Sequence, residues 1–74
     1  MARLPQLTGA DVVRRLKRLG MEEDHCRGSH LVMRNPATDK MTAVPQHGSK
    51  TVKKGTLSAI LRQLDISYEA FCDA

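Results

Sequence analysis

Between Met21 and Val44 the chain holds only short extended pieces, and the segments joining them are too brief to let the pieces lie parallel. Leu31-Val32-Met33 and Met41-Thr42-Ala43-Val44 are rich in β-prone side chains, and a weaker extended piece covers Glu22 to Arg27. "RGS" separates the first piece from the second, and "NPATDK", opened by Asn35-Pro36, separates the second from the third. A parallel pair needs a crossover of about a dozen residues or more. The spacing therefore predicts three strands in an antiparallel meander.

Helical periodicity brackets this meander. "LTGADVVRRLKRLG" offers Thr8 as an N-cap, Asp11 three residues on to complete a capping box, and Gly20 as a C-terminal stop. Val12, Leu16 and Leu19 recur at i, i+4, i+7 with Val13 beside them, while Arg14, Arg15, Lys17 and Arg18 fill the other side, which reads as a solvated basic face. "KKGTLSAILRQL" repeats the pattern with Leu57, Ile60, Leu61 and Leu64, and Gly55 suits a first turn where something approaches the backbone closely. Ser67, with Glu69 and Phe71, marks one further helical turn. Each helix and the sheet has one apolar face to bury, so both helices are expected on the same side of the sheet, the other side remaining open to solvent or a ligand. The result is an α+β fold of order α-β-β-β-α, the order of the double-stranded-RNA-binding fold.

Seventy-four residues make one domain, spanning 1–74. A chain of this size buries only about 60% of its unfolded surface. With one Phe, one Tyr and no Trp, the core is thin and would gain from a partner subunit. Twelve Lys and Arg against eight Asp and Glu give a net charge of +4, which favours polyanions such as nucleic acid. No apolar run approaches the ~20 residues of a membrane span, and the start carries no signal-peptide pattern, so a cytoplasmic protein with reduced Cys26 and Cys72 is expected. His25, Cys26 and His30 lie close in sequence, yet no C-x-x-C pair accompanies them, so neither a metal site nor a cofactor is expected.

Three stretches, in order, carry a family likeness. "LPQLTGADVVRRLKRLGM", then "GSH" followed by an extended apolar segment, then "VPQHGSKTVKKGTLSAILRQLDIS" resemble the HicA toxin family of bacterial toxin–antitoxin systems, from about Leu4 to Ser67. The specific part is "VP.H..K...KGTL..IL" downstream of "GSH". The resemblance implies a small toxin with a double-stranded-RNA-binding-like fold that cleaves messenger RNA. It also implies a HicB antitoxin that holds the toxin inactive in a hetero-oligomer. By the same resemblance His30 is the catalytic histidine and His47 a substrate contact. The acidic run Glu22-Glu23-Asp24 departs from a phosphate-binding surface and would repel RNA if it faced the substrate.

The residues permit that chemistry. RNA carries its own nucleophile, the 2′-hydroxyl, so cleavage needs a base for its proton, an acid for the departing oxygen, and cations around the phosphorus. An imidazole, with an ordinary pKa of about 6.5, exchanges protons near neutral pH, and one placed acid–base group contributes about 10²–10⁴-fold. Asp11, Asp39, Asp65, Glu69 and Asp73 are scattered over separate elements, which favours a metal-independent reaction over a two-metal one. Ser29 and His30 are neighbours on an extended segment, where side chains diverge, so they form no nucleophile–base pair. Lys50, Lys53 and Lys54 are the expected phosphate contacts, with Gly48 and Gly55 letting backbone N–H groups approach and the second helix adding its positive end. Gly28 and Ser29 form the turn that delivers His30 and are counted with the RNA-binding residues, as is His47. Tyr68 and Phe71 are remote as base-stacking platforms, so sequence readout should be weak.

On the residues alone, His30 also reads as a buried, hydrogen-bonded structural histidine. Strict alternation separates His30 and Val32 from Leu31 and Met33, but each pair contains an apolar residue, so the pattern leaves open which pair faces the helices. Two other functions fit the same sequence: a module that grips structured RNA without cutting it, and an adaptor whose basic face serves only solubility.

Overall fold

In the computed structural model, which describes residues 6–74, the chain runs α1 (Gly9–Arg18), β1 (Glu22–Arg27), β2 (His30–Asn35), β3 (Lys40–Pro45), α2 (Lys54–Gln63) and α3 (Tyr68–Asp73). Leu4, where the family-like stretch begins, lies outside the described residues. The capping box at α1 is formed: the Asp11 N–H donates to the Thr8 hydroxyl at 3.2 Å and the Thr8 N–H donates to the Asp11 carboxylate at 3.0 Å. That backbone donor, helped by the Thr8 hydroxyl and by Arg14, holds the Asp11 carboxyl below its ordinary value. α1 stops at Gly20, whose φ of +91° reverses the chain while the Gly20 and Met21 N–H groups bond back to Lys17 and Leu16. α2 stops in the same way, with Asp65 at φ +61° and the Ile66 N–H returning to the Leu61 carbonyl at 2.9 Å.

The strands form one antiparallel sheet in the order β1-β2-β3. Two residues, Gly28 and Ser29, join β1 to β2, with Gly28 at φ +58° in the position that a type II′ hairpin turn reserves for glycine. Asn35 starts the second turn: its carbonyl accepts from Thr38 and Asp39, and its buried side chain donates to the Leu64 carbonyl at 2.8 Å and accepts from the Ala37 N–H. One residue thus pins the hairpin to the end of α2.

Register settles the alternation left open by the sequence. Leu31 pairs with Val44 and Met33 with Thr42, and paired residues share a face. Met33 and Val44 are fully buried against Val12, Leu16, Ile60, Leu61 and Leu64 of the helices, so both helices lie on that face. His30, Val32 and Arg34 therefore face away. Val32 is nonetheless buried, outside the helix-covered cluster, sheltered by its neighbours on the open face.

α3 is capped by Ser67, whose hydroxyl accepts from the Ala70 N–H, and supplies Phe71, the largest fully buried side chain. Arg15 secures it by donating to the Phe71 and Cys72 carbonyls at 3.4 and 3.2 Å and by lying 5.7 Å from the Phe71 ring centre. Arg15 is therefore a structural cation rather than part of a solvated face, and Phe71 is a core residue.

β1 is exposed along its whole length and bulged between Glu23 and His25. Its acids have partners within the fold: Glu22 pairs with Arg34 at 2.8 Å and Glu23 with Lys17 of α1, while Asp24 meets the His25 ring at 2.6 Å. Cys26 and Cys72 are free thiols. Among the described residues no helix is long and apolar enough to cross a membrane.

Candidate nucleic-acid interface at the histidine pole

The tight Gly28-Ser29 turn puts His30 at the first position of β2, on the open sheet face, with an exposed side chain. Its cross-strand neighbours are Arg27 of β1 and Pro45 of β3. Beyond Pro45 the chain stays fastened to the same turn, because the Gln46 N–H donates to the Ser29 carbonyl at 2.6 Å. That bond delivers the next residue, His47, beside His30: the two imidazoles meet edge to face, 84° between planes and 6.0 Å between centres. Both are exposed. His25 also lies on the open face, opposite Val32, but its Nδ1 is engaged by the Asp24 carboxylate.

A residue that no motif singles out holds this corner together. At Gly9, an added Cβ would fall 2.0 Å from the Pro45 carbonyl oxygen and 2.7 Å from the Gln46 side-chain nitrogen. Only glycine lets α1 begin so close to the strand end that carries His47. The signal present in the sequence is a glycine in a helical first turn, directly after the cap, where helix formation itself does not favour it. Gly55, where close approach was expected, has nothing within 4 Å of its Cβ direction, so that backbone is open rather than packed.

From His47 the chain crosses to α2 along the start of α1. The Lys50 N–H donates to the His47 carbonyl at 3.2 Å, Thr51 bridges to Thr8, and the Val52 N–H donates to the Leu7 carbonyl at 2.7 Å. Gly48 takes φ +62° in this passage. α2 then begins with Lys53 as its N-cap and Lys54 as its first residue, with no side-chain cap and no acid in its first turn. The first N–H groups of a helix have no acceptor within it. Lys50, Lys53 and Lys54 are all exposed. The fold thus gathers the Gly28-Ser29 turn, His30 and His47 at one corner. The bridges to Leu7 and Thr8 tie the lysine-bearing start of α2 to the α1 start that abuts this corner.

The model of the family described as HicA toxin of bacterial toxin-antitoxin matches residues 9–66. The chain belongs to the HicA toxin family. Comparison with the curated proteins found no match. The HicA match begins at Gly9 and takes in α1, the whole sheet, both histidines of the corner and α2, ending at Ile66 before α3. As a toxin of a toxin–antitoxin system, a HicA protein has an antitoxin as its partner.

Proposed function

We propose that this HicA toxin is an endoribonuclease that cleaves messenger RNA without a metal ion, with His30 taking or giving the proton. The observation that carries the reading is the exposure of His30 on the sheet face away from the helices. A histidine kept for structure would lie between sheet and helices with its nitrogens bonded; this one meets solvent, in the position a substrate would occupy. RNA brings the nucleophile, and one placed imidazole is worth about 10²–10⁴-fold in rate. Lys50, Lys53, Lys54 and the uncapped N–H groups of α2 hold phosphates, and the Gly28-Ser29 turn lets the RNA backbone pass close to His30. The pairing of Glu22, Glu23 and Asp24 with cationic partners and His25 reduces the repulsion that β1 would otherwise exert on RNA. A HicB antitoxin that covers this corner would silence the toxin, and cytoplasmic mRNA is the substrate.

The same lysines suit a module that binds structured RNA without cutting it, and one experiment separates the two. Long RNA is incubated in chelator with the native protein and with His30→Ala, and fragments and gel shifts are both followed. Cleavage by the native protein, reduced at least about 100-fold in the variant, is the expected result. Equal fragments from both would remove His30 from the chemistry; a shift without fragments from either would leave the binding module.

A further inference from the structure

We infer that His47 is the second proton-transfer group of the reaction, so that His30 and His47 divide the acid and base roles across one phosphate. The inference rests on the ribonuclease reading above and extends it from one histidine to two. In an in-line displacement the attacking and departing oxygens stand on opposite sides of the phosphorus. Each needs its own proton partner within about 2.6–3.2 Å. Imidazoles whose centres are 6.0 Å apart, on an exposed corner, can flank a single phosphate in this way, whereas one imidazole reaches both oxygens only by moving during the reaction.

The fold fixes His47 there from both directions. On its N-terminal side the Gln46 N–H is bonded to Ser29, in the turn that carries His30, and Gly9 admits α1 against Pro45. On its C-terminal side its own carbonyl accepts the Lys50 N–H. A side chain used only to touch phosphate could stand anywhere along the RNA path; this one is fastened beside the other imidazole. Unlike His25, held by Asp24, neither His30 nor His47 has a side-chain hydrogen bond among the described residues.

The step balances in atoms and protons. One neutral imidazole takes the 2′-hydroxyl proton as the 2′-oxygen bonds to phosphorus; the P–O5′ bond breaks, and the departing 5′-oxygen takes a proton from the other, protonated imidazole. The products are a 2′,3′-cyclic phosphate and a 5′-hydroxyl, and water returns the proton from one histidine to the other.

An RNA oligonucleotide containing one linkage the native protein cuts, prepared either with the ordinary 5′-oxygen or with sulfur in its place, tests the division. A thiolate leaves without being protonated, so the sulfur linkage needs the base but not the acid. His30→Ala and His47→Ala are each expected to lose at least about 100-fold on the ordinary linkage. One of them, and only one, should recover to within about tenfold of the native protein on the sulfur linkage, which names it the acid. The inference is overturned if His47→Ala stays within about threefold of native on the ordinary linkage, or if both variants, or neither, recover on sulfur. A native protein that cuts no RNA, so that no such linkage can be chosen, would end the ribonuclease reading and this one with it. Both side chains are exposed, and matching thermal melts of the variants exclude a folding defect.

Discussion

Where α1 begins, Thr8 and Asp11 exchange hydrogen bonds and Gly9 is wedged against Pro45, so the protein itself caps this start and packs it closed. Where α2 begins, the cap is a lysine whose side chain supplies no acceptor, a second lysine follows, and no acid enters the first turn. The bridges from Thr51 and Val52 to Thr8 and Leu7 hold the two starts side by side. One start is closed for stability and the other is left open. An N-cap side chain of the preferred kind contributes about 0.5–2 kcal/mol, so the open start gives up stability that a small substitution would restore. A local rule broken without compensation inside the fold is where a ligand is expected.

Substitutions can break this contrast from either side. The largest effect is expected from Gly9→Ala, whose new methyl group meets the Pro45 carbonyl: about 2–3 kcal/mol less stable in urea unfolding, within the range of overpacked sites, together with a disturbed His47. Crossing the two caps comes next. Thr8→Ala should lower stability by about 1 kcal/mol while leaving RNA affinity unchanged. Lys53→Asp should do the reverse, raising stability by about 0.5–1 kcal/mol while weakening RNA binding and flattening its log–log salt slope by about 0.7–0.9 for each phosphate the protein no longer neutralises. If Lys53→Asp binds RNA as well as the native protein does, the open start has no part in recognition.

The smallest effect is one of pH. Asp11 is held below the ordinary carboxyl value of about 3.9, so its contribution is complete above that pH and fades as pH falls through the lower folded value, where protonation removes the charge that strengthens the bond from the Thr8 N–H. In Asp11→Asn that part of the acid loss should vanish, visible as a flatter stability profile below about pH 4. With no carboxylate in its first turn, the start of α2 adds nothing to the same profile.

Much of this was legible in the sequence because it depends on near neighbours. Caps at Thr8 and Ser67, the stop at Gly20, the meander forced by short connections, and the exposed Gly28-Ser29 turn all follow from residues a few positions apart. Other features depend on partners far along the chain. Whether His30 or Leu31 faces the helices was undecidable from alternation, since Val32 and Met33 are both apolar, and the pairing of Leu31 with Val44 decided it. Gly9 gave little sign of its role because the atom that excludes a side chain there belongs to Pro45. The company of His30 and His47 arises from a strand register and one bond from Gln46 to Ser29, neither of which a motif spells out. The acids of β1 are paired by Arg34 and Lys17, partners in other elements that no local pattern announces.

Phe71 comes later in the chain than every other core residue and fills more of the interior than any other fully buried side chain. Synthesis proceeds from the N-terminus, so a nascent chain grown only as far as Ile66 already contains His30, His47 and the lysines but lacks the piece that closes its interior. Truncating a buried Phe to Ala costs about 3–5 kcal/mol, a large share of what so small a fold possesses. The order of assembly is therefore written into the fold: the interior between sheet and helices is complete only once α3 has been made and has docked.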